Sequence, residues 1–204
     1  MSSSSSSYHH GDLKQALVEA GAQLIENEGI SGISLRAVAK HAGVSHSAPY
    51  RHFKDKNALL SGIADVGFEQ LAQSLSQAIE KNPDNPREQL LESGVAYIRL
   101  ALRHRQMHNL MFGGVIKKQV AADNSAVTSD TAFLGLVQII ENGQQAGVYK
   151  QGDVKVLALT AWSLVHGYAM LASTGLLDHI ADSEEASLAL ARTIESHLID
   201  GIRD

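Results

Sequence analysis

The sequence predicts an all-α protein in which an N-terminal three-helix head, containing a helix-turn-helix, joins a larger C-terminal helical bundle. Three observations predict it. Alanine and leucine dominate the hydrophobic 44% of the chain, while runs of Val, Ile and Thr are scarce. Only three prolines occur, at 49, 83 and 86, so long stretches lack a helix breaker. Apolar residues also recur three and four positions apart in one segment after another.

The elements follow in order. Leu13, Leu17, Ala20, Leu24 and Ile25 share one helical face, giving a first helix that ends near 27–29. Ser34 caps a short helix that turns Leu35, Val38 and Ala39 inward and stops at Gly43. A third short helix is expected from Ser45 or Ser47 to about Phe53. Asp55 caps a fourth, which runs past Leu71, Leu75 and Ile79 until Asn82 and Pro83 break it. Helices over about 86–104, 106–112 and 125–145 come next, with Leu90, Leu91, Val95, Ile98, Leu102, Phe133, Val137 and Ile140 inward. The last two, over about 153–174 and 183–202, are apolar over a wider arc than one packed face needs, as in a helix-bundle dimer interface. Leu164, Val165, Tyr168 and Leu171 on one and Leu188, Ile194 and Leu198 on the other make up that surplus. Six serines at 2–7 bury nothing and carry no Arg or Lys, so 1–7 reads as a disordered tail, 8–54 as the head and 55–204 as the body.

Composition narrows the function. The absence of cysteine excludes disulfides and a thiol nucleophile. No apolar stretch is expected to reach the ~20 residues that span a bilayer, and no signal peptide is visible, so a cytoplasmic protein without a membrane partner is expected. The net charge of −5 is unevenly spread: residues 8–60 hold six Lys and Arg against five acids, and the acidic excess lies in the remainder. A near-neutral head on an acidic body leaves local cations free to face phosphates.

The stretch over 34–56 carries the most information. Two short helices meet at Ala42, Gly43 and Val44, with glycine where a left-handed turn residue belongs, and Ala39, Val44 and Phe53 are placed to lock them together. Ser45, His46, Ser47, Tyr50, Arg51, His52, Lys54 and Lys56 can all form hydrogen bonds, a density that suits a nucleic acid better than a folding unit.

This segment resembles the DNA-binding head of the tetracycline-repressor (TetR) family. The resemblance rests on Ser34, Arg36, Ala39, the Gly43-Val44-Ser45 turn and the run from Tyr50 through His52 and Phe53 to Lys56, with Tyr8 to Leu13 resembling the family's starts. Trp162, His166 and Gly167 resemble the Trp-x-x-x-His-Gly signature of one C-terminal subclass. The resemblance implies a repressor bound as a homodimer to a palindromic double-stranded DNA operator and released by a small-molecule effector. It places Tyr50, His52 and Lys56 on phosphates, together with the amide and hydroxyl of Ser34, and Arg36, His46 and Ser47 on base edges beside Ser45. For Tyr50 core packing is the competing role.

Met107, Met111, Phe112, Phe133, Trp162 and His166 are candidate walls of an effector cavity, or ordinary core. Such a cavity suits a flat or aromatic molecule with one polar group for His166. His104 and His108, four apart, lack the acid or cysteine that would make them metal ligands, so they are expected to face solvent or line a pocket, and no metal or cofactor is expected. Gly113 and Gly114 before Lys117 and Lys118 lack the spacing of a phosphate loop, and no nucleophile elbow or carboxylate pair suggests an enzyme. The rival function is a helical small-molecule binding protein or enzyme with an incidental helix-turn-helix.

Overall fold

The computed structural model describes residues 10–114 and 125–202. The serine run at 2–7, Tyr8 and His9, and Lys117 and Lys118 lie outside the described residues. Among the described residues eight α-helices follow in order: α1 (His10–Glu28), α2 (Leu35–His41), α3 (Lys56–Lys81), α4 (Pro86–Arg103), α5 (Arg105–Phe112), α6 (Ser125–Gln145), α7 (Val154–Ser173) and α8 (Glu184–Ile202).

Local chemistry sets their starts. Ser34 Oγ accepts from the Ala37 amide at 3.0 Å and Asp55 Oδ1 from the Ala58 amide at 2.8 Å. Asn85 does the same for Glu88 with Pro86 at the first helical position, and Asp153 and Ser183 cap α7 and α8. These groups satisfy amides that no helical carbonyl reaches.

The expected third helix is a correction. Residues 46–53 form turns around a single 3-10 turn, Pro49–Arg51. Pro49 has no amide to give the Ser45 carbonyl. The segment closes mainly through i→i−3 bonds, from the Ala48, Arg51 and His52 amides to the Ser45, Ala48 and Pro49 carbonyls at 3.0–3.2 Å, with one α-type bond from the Phe53 amide to the Pro49 carbonyl at 2.9 Å.

Three apolar clusters hold the chain together. In the first, Leu17, Leu24, Ile25, Val38 and Phe53 pack with Leu59 and Ile63 of α3 and with Met107 and Leu110 of α5. Gly21 lets α1 lie directly on α3, since a Cβ there would meet Ile63. The second joins Leu71, Tyr97 and Ile98 to Val165, Tyr168 and Ala191; the third joins Leu90, Ile140 and Tyr149 to Ala158 and Ile199. The 26-residue α3, about 39 Å long, runs from the first cluster into the second.

Helix α7 corrects a second expectation. Its 20 residues, at a mean hydropathy of 1.4, are long and apolar enough to cross a membrane by length and composition, with Lys155 as the only charge. Ala158, Ala161, Val165, Tyr168, Ala169 and Ala172 turn into the bundle against α4, α6 and α8. Val165 and Tyr168, assigned from sequence to an interface surplus, are thus buried within the chain, while Leu171 remains exposed.

Candidate DNA-binding surface and effector cluster

The helix-turn-helix turns on Gly43, whose φ of 69° lies in the left-handed region. The Val44 amide then returns to the Ala39 carbonyl at 3.0 Å. Seven of the eight predicted DNA-facing residues are exposed: Ser34, Arg36, Ser45, His46, Ser47, Tyr50 and Lys56. His52 is half-buried, and its Nε2 has no partner. Tyr50 is 54% exposed and Phe53 3%, so core packing falls to Phe53 alone. Ser34 Oγ is engaged in its cap, and Ser45 Oγ lies 3.3 Å from Ser47 Oγ. Lys56 stands in the first turn of α3, where its ammonium donates to the Ile30 carbonyl at 3.3 Å.

The predicted effector residues divide. Phe112 of α5 meets Trp162 and His166 of α7 at ring-centroid distances of 6.2 and 5.1 Å, and Phe133 of α6 meets Trp162 at 5.8 Å. Phe68 of α3 stands edge-on to Phe112 at 5.4 Å. Met107 is buried in the first cluster, and Met111 bridges the first and second. Both pack on Gly67, where a Cβ would collide with them. A separate groove of about 320 Å³ between α3 and α6 is lined by Ala72, Leu75, Ile79, Ala132 and Leu134, none of them among the predicted residues.

Tyr97 was missed from sequence, and it completes the cluster together with His108, which the sequence assigns with His104 to solvent or pocket lining. The Tyr97 hydroxyl lies 3.0 Å from His108 Nε2 and 2.7 Å from His166 Nδ1. Burial pulls the His108 imidazole down to about 4, helped by the neighbouring His166, and burial lowers His166 too. Tyr97 is pushed well above its ordinary range by burial. All three are therefore neutral near pH 7. The single hydroxyl proton goes to one imidazole, and the other imidazole donates to the phenol oxygen. His108 is fully buried and its Nδ1 has no partner.

His104, four residues earlier, faces elsewhere. It is exposed, 3.9 Å from Glu26. Among the described residues no three His, Asp or Glu side chains come together as metal ligands would.

Residues 17–63 match the family model of bacterial regulatory proteins of the tetR family, and residues 90–194 match the tetracyclin repressor-like C-terminal domain. The uncharacterized HTH-type transcriptional regulator YobS of Bacillus subtilis is 22% identical over 93% of this chain and 94% of its own. The class A tetracycline repressor of transposon 1721 from Escherichia coli is 27% identical over 44% of this chain and 40% of its own. Among solved structures, a protein of unknown function from Rhodococcus sp. RHA1 superposes with a TM-score of 0.81 at 33% identity, covering 98% of this chain and 100% of that one. The TetR-family regulator PfmR from Thermus thermophilus shares the fold, with a TM-score of 0.67 at 20% identity over 92% and 99% of the two chains. The two family matches lie on the helix-turn-helix and on the bundle that holds the aromatic cluster. They make the chain a member of the TetR family, the ligand-responsive, DNA-binding transcriptional regulators of bacteria.

Proposed function

We propose that the chain works in the cytoplasm as a homodimeric repressor that holds a palindromic operator and lets go when a small molecule enters the body. Residues 8–54 act as the reading head and 55–204 as the effector and dimerisation body. Two heads set about 34–36 Å apart by a two-fold axis reach successive major grooves of one DNA face. Tyr50, His52 and Lys56, with Ser34, hold phosphates, while Arg36, His46 and Ser47, next to Ser45, read base edges.

One observation carries the reading: seven of the eight predicted DNA-facing side chains are exposed within 34–56, around a glycine-hinged turn anchored by Val38 and Phe53. The effector is an uncharged, flat or aromatic molecule bound among Phe112, Phe133, Trp162 and His166, with Met107 and Met111 behind. The cluster's rings and its neutral Tyr97–His108–His166 chain support that choice. The ligand acts only by binding the released state more tightly; shifting 1:99 to 99:1 takes about 10⁴-fold preference.

The test is a gel shift with DNA flanking the encoding gene across a salt series. Retention that weakens steeply with salt, with excess random DNA present, supports the reading. Binding equal to that of random DNA overturns it in favour of a small-molecule binding protein.

A further inference from the structure

The first turn of α5 lacks a capping side chain of its own: His104, at the cap position, makes no cap bond. A carboxylate from the head takes that role. Glu26, in the last turns of α1, accepts from the Met107 backbone amide at 3.0 Å, and the same oxygen lies 3.9 Å from His104 Nδ1. Next to it, the left-handed Gly29 that ends α1 faces the Gln106 side chain. Through this seat, a residue 81 positions away in sequence satisfies an amide that α5 would otherwise leave unpaired.

The other end of α5 enters the effector cluster. His108 bonds Tyr97, and Phe112 packs on Phe68, Trp162 and His166. Eight residues, about 12 Å of helix, thus connect the head's carboxylate to the rings. We infer that Glu26 is a positioning residue that couples the two sites: its carboxylate ties the register of α5, and so the packing of Phe112 on Trp162, to the placement of the DNA-reading head. The inference rests on the proposed repressor function and adds the residue through which its two sites communicate. Linkage is reciprocal, so a ligand that shifts α5 must disturb the head, and DNA that fixes the head must disturb the cluster.

Reciprocity makes the test independent of the unidentified effector. Trp162 is the only tryptophan of the chain, so its emission reports the cluster alone. Labelled DNA selected from a random pool by the protein itself is titrated, with anisotropy reading binding and Trp162 emission reading the cluster. Operator binding should change Trp162 emission in the unaltered protein. Glu26→Ala should cut that change to less than about half while operator Kd stays within roughly threefold. Glu26→Gln keeps an acceptor oxygen and should restore most of it. Glu19→Ala, on the same helix but exposed and bonded to Gln15 within α1, should leave both signals intact. Amide exchange at Met107, measured without DNA, should quicken in Glu26→Ala and recover in Glu26→Gln.

An unchanged Trp162 response in Glu26→Ala, or no response in the unaltered protein despite full DNA binding, overturns the coupling and leaves the repressor reading standing. Loss of DNA binding in Glu26→Ala with normal Met107 exchange also overturns it, since the residue would then serve only the head. Failure of the unaltered protein to select any DNA overturns the repressor reading, and the coupling with it.

Discussion

Tyr97 Oη lies 2.7 Å from His166 Nδ1, joining α4 to α7 across 69 residues of sequence, and the same hydroxyl holds His108 of α5 at 3.0 Å. Tyr97→Phe deletes the one group that satisfies both imidazoles while keeping the ring contacts. It leaves His108 Nε2 buried without a partner, which costs about 1–3 kcal/mol of folding free energy. Urea denaturation measures this, and a change within error would mean that His108 has another partner.

The same histidine predicts an acid-side loss. His108 titrates near 6.5 when unfolded and near 4 when folded, so the folded state binds fewer protons between those values. Its contribution is complete above pH 6.5 and drains away as pH falls through 4, by up to roughly 3 kcal/mol. In His108→Gln the stability curve should flatten over that window. A variant as acid-sensitive as the parent would place the loss elsewhere.

Glu195 predicts the opposite slope. Its carboxylate is buried between α8 and α4 with neither oxygen paired, and burial lifts it to about 8 despite the opposing pull of Arg192, which is itself paired with Glu92. A raised carboxyl favours folding fully below about 4.5, and that advantage is lost as pH rises through 8, on the order of 4 kcal/mol. Glu195→Gln mimics the protonated form and should hold its stability on the alkaline side. The carboxylate lies flush on Gly94, where a Cβ would strike it. Gly94→Ala should therefore destabilise the parent by about 1–3 kcal/mol and much less in a Glu195→Ala background, a coupling that a double-mutant cycle reads directly.

On the DNA side, Tyr50→Phe and Lys56→Ala should weaken binding by similar factors on all sequences, because both are proposed to hold phosphates. Lys56→Ala should also lower the salt slope by roughly one. A changed base preference with an intact slope, read by selection from random DNA, would move Lys56 to a base edge.

How much of this was legible depended on range. Ser34 and Asp55 could be read as caps because a cap and its amide are three residues apart, and the alternation of Leu90, Leu91, Val95 and Ile98 marked the inner face of α4. The contacts that join Tyr97 to His108 and His166 are not local. Periodicity gives the face on which Tyr97 stands, but not that His108 and His166 await it there. His104 and His108 read together as solvent or pocket lining, but a helix preceded by a break at His104 sends one to solvent and the other into the core. Glu195 was hidden for a related reason: an acid on a helix reads as solvent face, yet Ser187, Ala191, Glu195 and Ile199 are the buried stripe of α8. The 3-10 turn escaped because Pro49 suits the first turn of an α-helix as well as it suits a 3-10 turn, so the sequence does not separate the two.

Gly167 supplies the last prediction. It sits in the middle of α7, exposed, at an ordinary helical φ, and a Cβ built on it would meet nothing within 4 Å. Glycine inside a helix costs about 1 kcal/mol relative to alanine, and nothing within this chain offsets that cost. Val156, Leu159, Ser163, Gly167 and Leu171 follow one another at helical spacing, all exposed, so the glycine lies in a stripe that is apolar or small. In the proposed homodimer this stripe faces its symmetry mate, and the missing Cβ lets two α7 helices cross closely at Ser163 and Gly167. Gly167→Ala should then stabilise the isolated chain slightly while weakening association, and Gly167→Leu should give a monomer that keeps its helical content. Light scattering at micromolar concentration and circular dichroism measure the two quantities separately. If Gly167→Leu stays a dimer with unchanged dissociation, α7 does not form the crossing and the proposed interface is wrong.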